Sequence, residues 1–168
     1  MRGFTVIELL VVTVIIGILS TVMFANYRQG EQQLAEQQSL QTVVQAIRAA
    51  QNKALGAAEI VCDDPPCKYG VDLDRLAHPT TLIVFADGTA GPASNNGDYD
   101  LGEEIEIFGL EEGIEVINVL PGPDKTRILF EPPDPVITFE PPPPGVRTIM
   151  ITGGRTVTVW GGGSVDIN

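Results

Sequence analysis

The stretch Arg2-Gly3-Phe4-Thr5-Val6-Ile7-Glu8-Leu9-Leu10-Val11-Val12 decides how the rest of the chain is read. From Leu9 to Ala25 no side chain carries a charge. With Phe4 to Ile7 before it, the run reaches the roughly 20 residues that span a bilayer core. Arg2 and the initial amine precede the run, which sets the expectation of a cytoplasmic N-terminus and an exported remainder. Glu8 is the exception. A carboxylate at the centre of a lipid-spanning helix costs about 2.5–3.5 kcal/mol on insertion scales, so it calls for a cationic partner. An ordinary secretory signal fits poorly. The basic region is only Met1-Arg2, Glu8 interrupts the apolar stretch, and Met23-Phe24-Ala25 is a weak small-x-small cleavage site.

The order of residues (a small residue, Phe, Thr, two apolar residues, Glu, then a long apolar helix) resembles the cleavage and methylation signature of type IV prepilins and pseudopilins. The resemblance implies that a prepilin peptidase cuts between Gly3 and Phe4 and methylates the new amine of Phe4. It also places Thr5 and Glu8 in assembly. In that family the equivalent Glu reaches a neighbouring subunit's amine and sets filament register. The physical reading agrees. Cleavage would put a cationic amine at Phe4, one helical turn before Glu8, and charges in lipid need opposite charges. Glu8 also lies in the first turn, where the helix dipole favours a carboxylate. The alternative is that Glu8 only marks the membrane interface. The partners implied are the prepilin peptidase, other pilin or pseudopilin subunits and an inner-membrane assembly platform. The implied location is the bacterial inner membrane, crossed once, with the head exported and later carried into a periplasmic pseudopilus or an extracellular pilus.

Beyond Ala25 the sequence turns polar without breaking, and no proline occurs until Pro65. Leu40, Val43, Val44, Ile47, Ala50, Ala54 and Leu55 recur at helical steps and predict a buried stripe. Gln41, Gln45, Arg48 and Asn52 fall off it. A helix is expected from about Thr5 to about Ala57. Gly17 and Gly30 are its weak points, with Gly17 the expected site of local unwinding, since Ala25 stands where many pilins carry a proline. The chain thus divides into a leader 1–3, a transmembrane and filament-core helix 4–25, an amphipathic continuation 26–57 and a β-rich head 58–168.

From Lys68 on, short alternating runs between Gly, Pro, Asn and Asp clusters predict strands at 69–73, 81–86, 104–108, 114–120, 127–130, 136–139, 148–152 and 156–160. Glu104-Ile105-Glu106-Ile107-Phe108 alternates strictly, predicting one wet and one buried face. Pro132-Pro133 and Pro141-Pro142 bound one strand and limit its pairing. The expected fold class is α+β: a long N-terminal helix packed on a C-terminal antiparallel β-sandwich-like domain. Val44 to Ala54, Leu82 to Asp87 with Asp98 to Glu104, and the ending Ile149 to Val157 are similar to GspH/FimT-type minor pseudopilins. The function this implies is a minor pilin or pseudopilin of a type IV pilus or type II secretion system. A major pilin, or a ligand-binding pilin carrying DNA or an adhesin surface, is the alternative.

Composition excludes other classes. The formal net charge of −12 over 168 residues repels phosphate backbones, so nucleic acid is not an expected partner. Cys62 and Cys67 bracket Asp63-Asp64-Pro65-Pro66, which is neither a redox nor a zinc spacing. In an exported head they are expected to form a disulfide stabilising by roughly 2 kcal/mol, the alternative being two unpaired thiols. His78 is the only histidine, and no nucleophile, zinc or phosphate-loop motif accompanies it, so no enzymatic activity and no resident cofactor are expected. Asp87, Asp98, Asp100 and Glu103 gather oxygen ligands in one turn-rich segment and are candidates for calcium, the alternative being a solvated acidic turn.

Overall fold

An apolar run, charged only at Glu8, followed by an amphipathic stretch rich in good helix formers gives a single helix assignment, α1, over Val6–Gly56. The computed structural model describes residues 5–56, 68–88, 96–122, 124–132, 136–141 and 145–168; within α1 the side chains of 25, 26, 28 and 29 are not among them. The chain forms two compact units, Met1–Ala35 and Glu36–Asn168.

In the first unit, the 19 residues Val6–Phe24 are long and apolar enough to cross a membrane and none is buried. Both threonine hydroxyls in this span are satisfied by their own helix. Thr13 Oγ1 donates to the Leu10 carbonyl at 2.9 Å and Thr21 Oγ1 to the Gly17 carbonyl at 2.8 Å. That arrangement suits an apolar solvent, where an unpaired hydroxyl is costly. The helix runs through Gly17 and Gly30 without interruption, in contrast to the expected unwinding.

In the second unit, the stripe Leu40, Val43, Val44, Ile47, Ala50 and Ala54 is buried as predicted. Gln41, Gln45, Arg48 and Asn52 are exposed. Leu55 is the correction. It is 57 % exposed, because it follows Ala54 by one residue and so lies about a quarter-turn off the stripe. The buried face also extends to polar residues the apolar pattern does not show. Ser39 Oγ accepts from the Glu111 amide at 3.1 Å, and buried Glu36 accepts from Arg155 Nε at 3.2 Å.

Among the described residues nine strands follow: β1 Lys68–Asp74, β2 Thr81–Asp87, β3 Glu104–Gly109, β4 Val116–Leu120, β5 Lys125–Glu131, β6 Val136–Glu140, β7 Val146–Ile151, β8 Thr156–Trp160 and β9 Val165–Ile167. Eight coincide with the predicted runs; β9 was not predicted. They form two antiparallel sheets, ordered β3-β2-β1-β5-β6 and β4-β7-β8-β9, so the α+β class holds. The central strand β1 is buried on both faces over Tyr69–Leu73. β6, bounded by prolines, is an edge strand that among the described residues pairs with β5 alone.

β3 departs from its predicted pattern. Ile107 is 60 % exposed, although the alternation placed it on the buried face. The cause is position. β3 is the other edge of the five-stranded sheet and, among the described residues, pairs only with β2, across a register shift at Val84/Phe85. Alternation says which side chains share a face, not whether anything covers that face.

The two sheets are tied by wholly buried Arg147 on β7. Its guanidinium lies 5.2 Å from the centre of the Phe139 ring on β6, and its Nη2 donates to the Pro141 carbonyl.

Candidate functional site

The start of α1 is built by two side chains. The first amides of any helix lack intrahelical partners, and Thr5 and Glu8 supply them reciprocally. The Thr5 amide and Thr5 Oγ1 each donate to Glu8 Oε2 at 2.9 Å, and the Glu8 amide donates to Thr5 Oγ1 at 3.3 Å. The spacing Ser/Thr-x-x-Glu is a helix-start signal that can be read in sequence, and it gives Thr5 a physical task. Both donors fall on Oε2. Among the described residues Oε1 accepts none, so one carboxylate oxygen is spent on the helix start and the other is not. Gly3 and Phe4, the expected cleavage pair, lie outside the described residues, as do Cys62 and Cys67.

The four calcium candidates are each engaged by the protein itself. Asp87 accepts the Asn96 amide at 3.1 Å and the Gly97 amide at 2.7 Å, one on each oxygen. Glu103 likewise accepts the Gly88 amide at 3.1 Å and the Asp100 amide at 3.0 Å. Asp100 accepts Asn96 Nδ2 at 3.2 Å, and Asp98 pairs with Arg127. Among the described residues no three His, Cys, Asp or Glu side chains gather in a metal-holding group. Tyr99 stacks obliquely on Phe85 at 5.7 Å between ring centres, so the segment lies against the sheet.

One charged cluster was invisible in sequence. Asp72 on β1 is wholly buried, with His78 Nε2 at 3.0 Å and Lys125 Nζ at 3.7 Å. Burial pushes its carboxyl above the usual range, a shift partly offset by the charges of Lys125 and His78 and by the His78 hydrogen bond. A carboxyl raised in the fold holds its proton more tightly folded than unfolded. Its contribution to stability is therefore present below the unfolded value of about 3.9 and is lost as pH rises through the raised value. Asp72→Asn removes that titration. It is expected to flatten the decline in melting temperature above about pH 4, checked by thermal unfolding at a series of pH values. An unchanged slope would mean that Asp72 does not titrate differently on folding.

Residues 1–24 match the family model for the prokaryotic N-terminal methylation motif. No curated protein and no solved structure matches the chain. The matched span takes in the Gly3-Phe4 junction, the Thr5–Glu8 cap and the apolar helix as far as Phe24. Over these residues the chain carries the N-terminal motif of type IV pilin-like prepilins, a motif that implies processing by prepilin peptidase and assembly with other pilin subunits, and the apolar helix suits a membrane anchor.

Proposed function

We propose that the chain is a minor pilin or pseudopilin of the GspH/FimT type, a structural subunit of a type IV pilus or type II secretion filament. Prepilin peptidase cuts it after Gly3, and it enters the filament through its N-terminal helix. The observation that carries this reading is the apolar span Val6–Phe24, exposed along its whole length and opened by a carboxylate of which one oxygen, among the described residues, accepts no hydrogen bond. In the membrane that face meets lipid; in a filament it meets neighbouring helices. The β7–β8 hairpin, turned at Gly153-Gly154 ahead of Arg155, supports the subtype by its resemblance in sequence. Arg155 is committed to Glu36, which argues against a nucleic-acid role for it.

The test is the mature N-terminus. Mass spectrometry of protein recovered from its native membrane is expected to show N-methylated Phe4. An intact Met1, or a start at Asn26, overturns the reading. Gly3→Val is expected to block cleavage almost completely, because bulk beside the scissile bond does not fit a site that accepts glycine. The unprocessed chain then persists in the membrane on immunoblots.

A further inference from the structure

Asn96-Gly97 is a dipeptide prone to attack by its own backbone, because Gly97 has no Cβ to hinder the approach. The reaction needs only water. The Gly97 amide nitrogen loses its proton and attacks Asn96 Cγ. A C–N bond forms, the Cγ–Nδ2 bond breaks, and ammonia leaves with a proton from solvent, giving a cyclic imide. Water then opens either carbonyl and leaves aspartate or isoaspartate at position 96.

In the folded loop each atom of this reaction is held by something else. The attacking nitrogen, Gly97 N, donates to Asp87 Oδ2 at 2.7 Å in a buried position. Deprotonating it there would set two negative centres at hydrogen-bond distance. The Asn96 amide is fixed to the other oxygen, Asp87 Oδ1, at 3.1 Å. The attacked group is held as well: Asn96 Oδ1 accepts the Asp98 amide at 2.6 Å, and Asn96 Nδ2 donates to Asp100 Oδ2 at 3.2 Å. Asp87 is itself wholly buried at the end of β2, so the clamp is anchored in the sheet. The Asn96 side chain is exposed, so water has access once the clamp opens.

We propose that Asn96 is a latent self-deamidation site gated by the Asp87 carboxylate. Closed, the loop keeps the amide inert; released from Asp87, Gly97 N becomes the nucleophile. The change runs one way. The product replaces the Nδ2 donor with a carboxylate oxygen facing Asp100, so an attraction becomes a repulsion and the loop does not reclose as before.

The experiment incubates the full chain in detergent micelles at neutral pH. It follows the peptide containing 96–97 by mass, for exchange of NH for O, and by enzymatic isoaspartate labelling. The native protein is expected to deamidate at least about tenfold more slowly than the same chain in denaturing urea, since a hydrogen bond to a charged acceptor must first be given up. Asp87→Ala is expected to bring the folded rate close to the unfolded one, and Asn96→Gln to abolish the change at this peptide. Should Asp87→Ala fail to fold, Asp87→Asn carries the test. It keeps one acceptor oxygen without the charge and is expected to react severalfold faster than wild type. Equal rates for native and unfolded wild type, or a folded Asp87 variant as slow as wild type, overturn the proposal.

Discussion

Glu8→Gln is expected to be cleaved and inserted normally and yet to be nearly absent from sheared filaments. The substitution keeps an acceptor oxygen for the Thr5 amide and hydroxyl, so the helix start survives. It also removes a charge from an apolar span, which eases insertion. In the assembly proposed above, what it removes is the negative partner for the Phe4 amine of a neighbouring subunit. Losing one member of a buried ion pair costs roughly 3–5 kcal/mol per contact, and the loss recurs at each subunit junction. Comparing membrane and sheared fractions on immunoblots separates the two effects. Wild-type incorporation of Glu8→Gln would show that this carboxylate does not guide assembly. Thr5→Ala is the informative companion. It deletes the cap and keeps the charge, so it loses about 0.5–2 kcal/mol of helix-start stability and is expected to weaken incorporation only partly.

The largest effect within the head is expected at the contact between Gly70 and Phe85. Gly70 on β1 faces Phe85 across the β1–β2 ladder and Leu129 across the β1–β5 ladder. A Cβ there would lie 2.6 Å from two Phe85 ring carbons and 2.8 Å from Leu129 Cδ2, so Gly70→Ala forces the ring aside at a cost of about 1–3 kcal/mol. Phe85→Ala empties the same space and is expected to cost about 3–5 kcal/mol. Because the methyl enters the volume the ring vacates, the double variant is expected to be more stable than the sum of the single losses by well over about 0.5 kcal/mol. Denaturant titration of the full chain in detergent, followed by near-ultraviolet dichroism, reads all three. Strict additivity would show that the two sites do not share that space.

The outline of the fold was legible because its signals are local. The helical stripe from Leu40 to Ala54 repeats at 3.6 residues and is buried as the period demands. Eight strands are bracketed by turn residues, so their positions agree with the sequence reading to within two residues at either end. β9 escaped because three residues after Gly161-Gly162-Gly163-Ser164 are too few to alternate convincingly. Ile107 misled because strand order is a tertiary fact, and an edge strand looks in sequence like any other. The Asp72 cluster was hidden for the same reason. Lys125 reaches Asp72 only because β1 and β5 pair in a register that sets Asp74 opposite Lys125. At the N-terminus the motif was legible and half of its physics was not. The resemblance placed Thr5 beside Glu8 in assembly without giving it a physical task, whereas the structure makes it the donor to one of the two Glu8 oxygens.

The place where α1 changes character also says where recombinant protein can be shortened. Val6–Phe24 contributes no buried side chain, whereas burial in the helix sets in at Glu36, Ser39 and Leu40. A truncation that begins one turn before Glu36 discards the detergent-requiring span. It keeps the carboxylate that accepts from Arg155, the hydroxyl that caps Glu111 and the whole stripe down to Ala54. A cut placed beyond Val44 would strip Leu40, Val43 and Val44 from the core and leave a head prone to precipitate. For crystallisation or antigen production the choice between these two cuts decides whether the core of the head is complete.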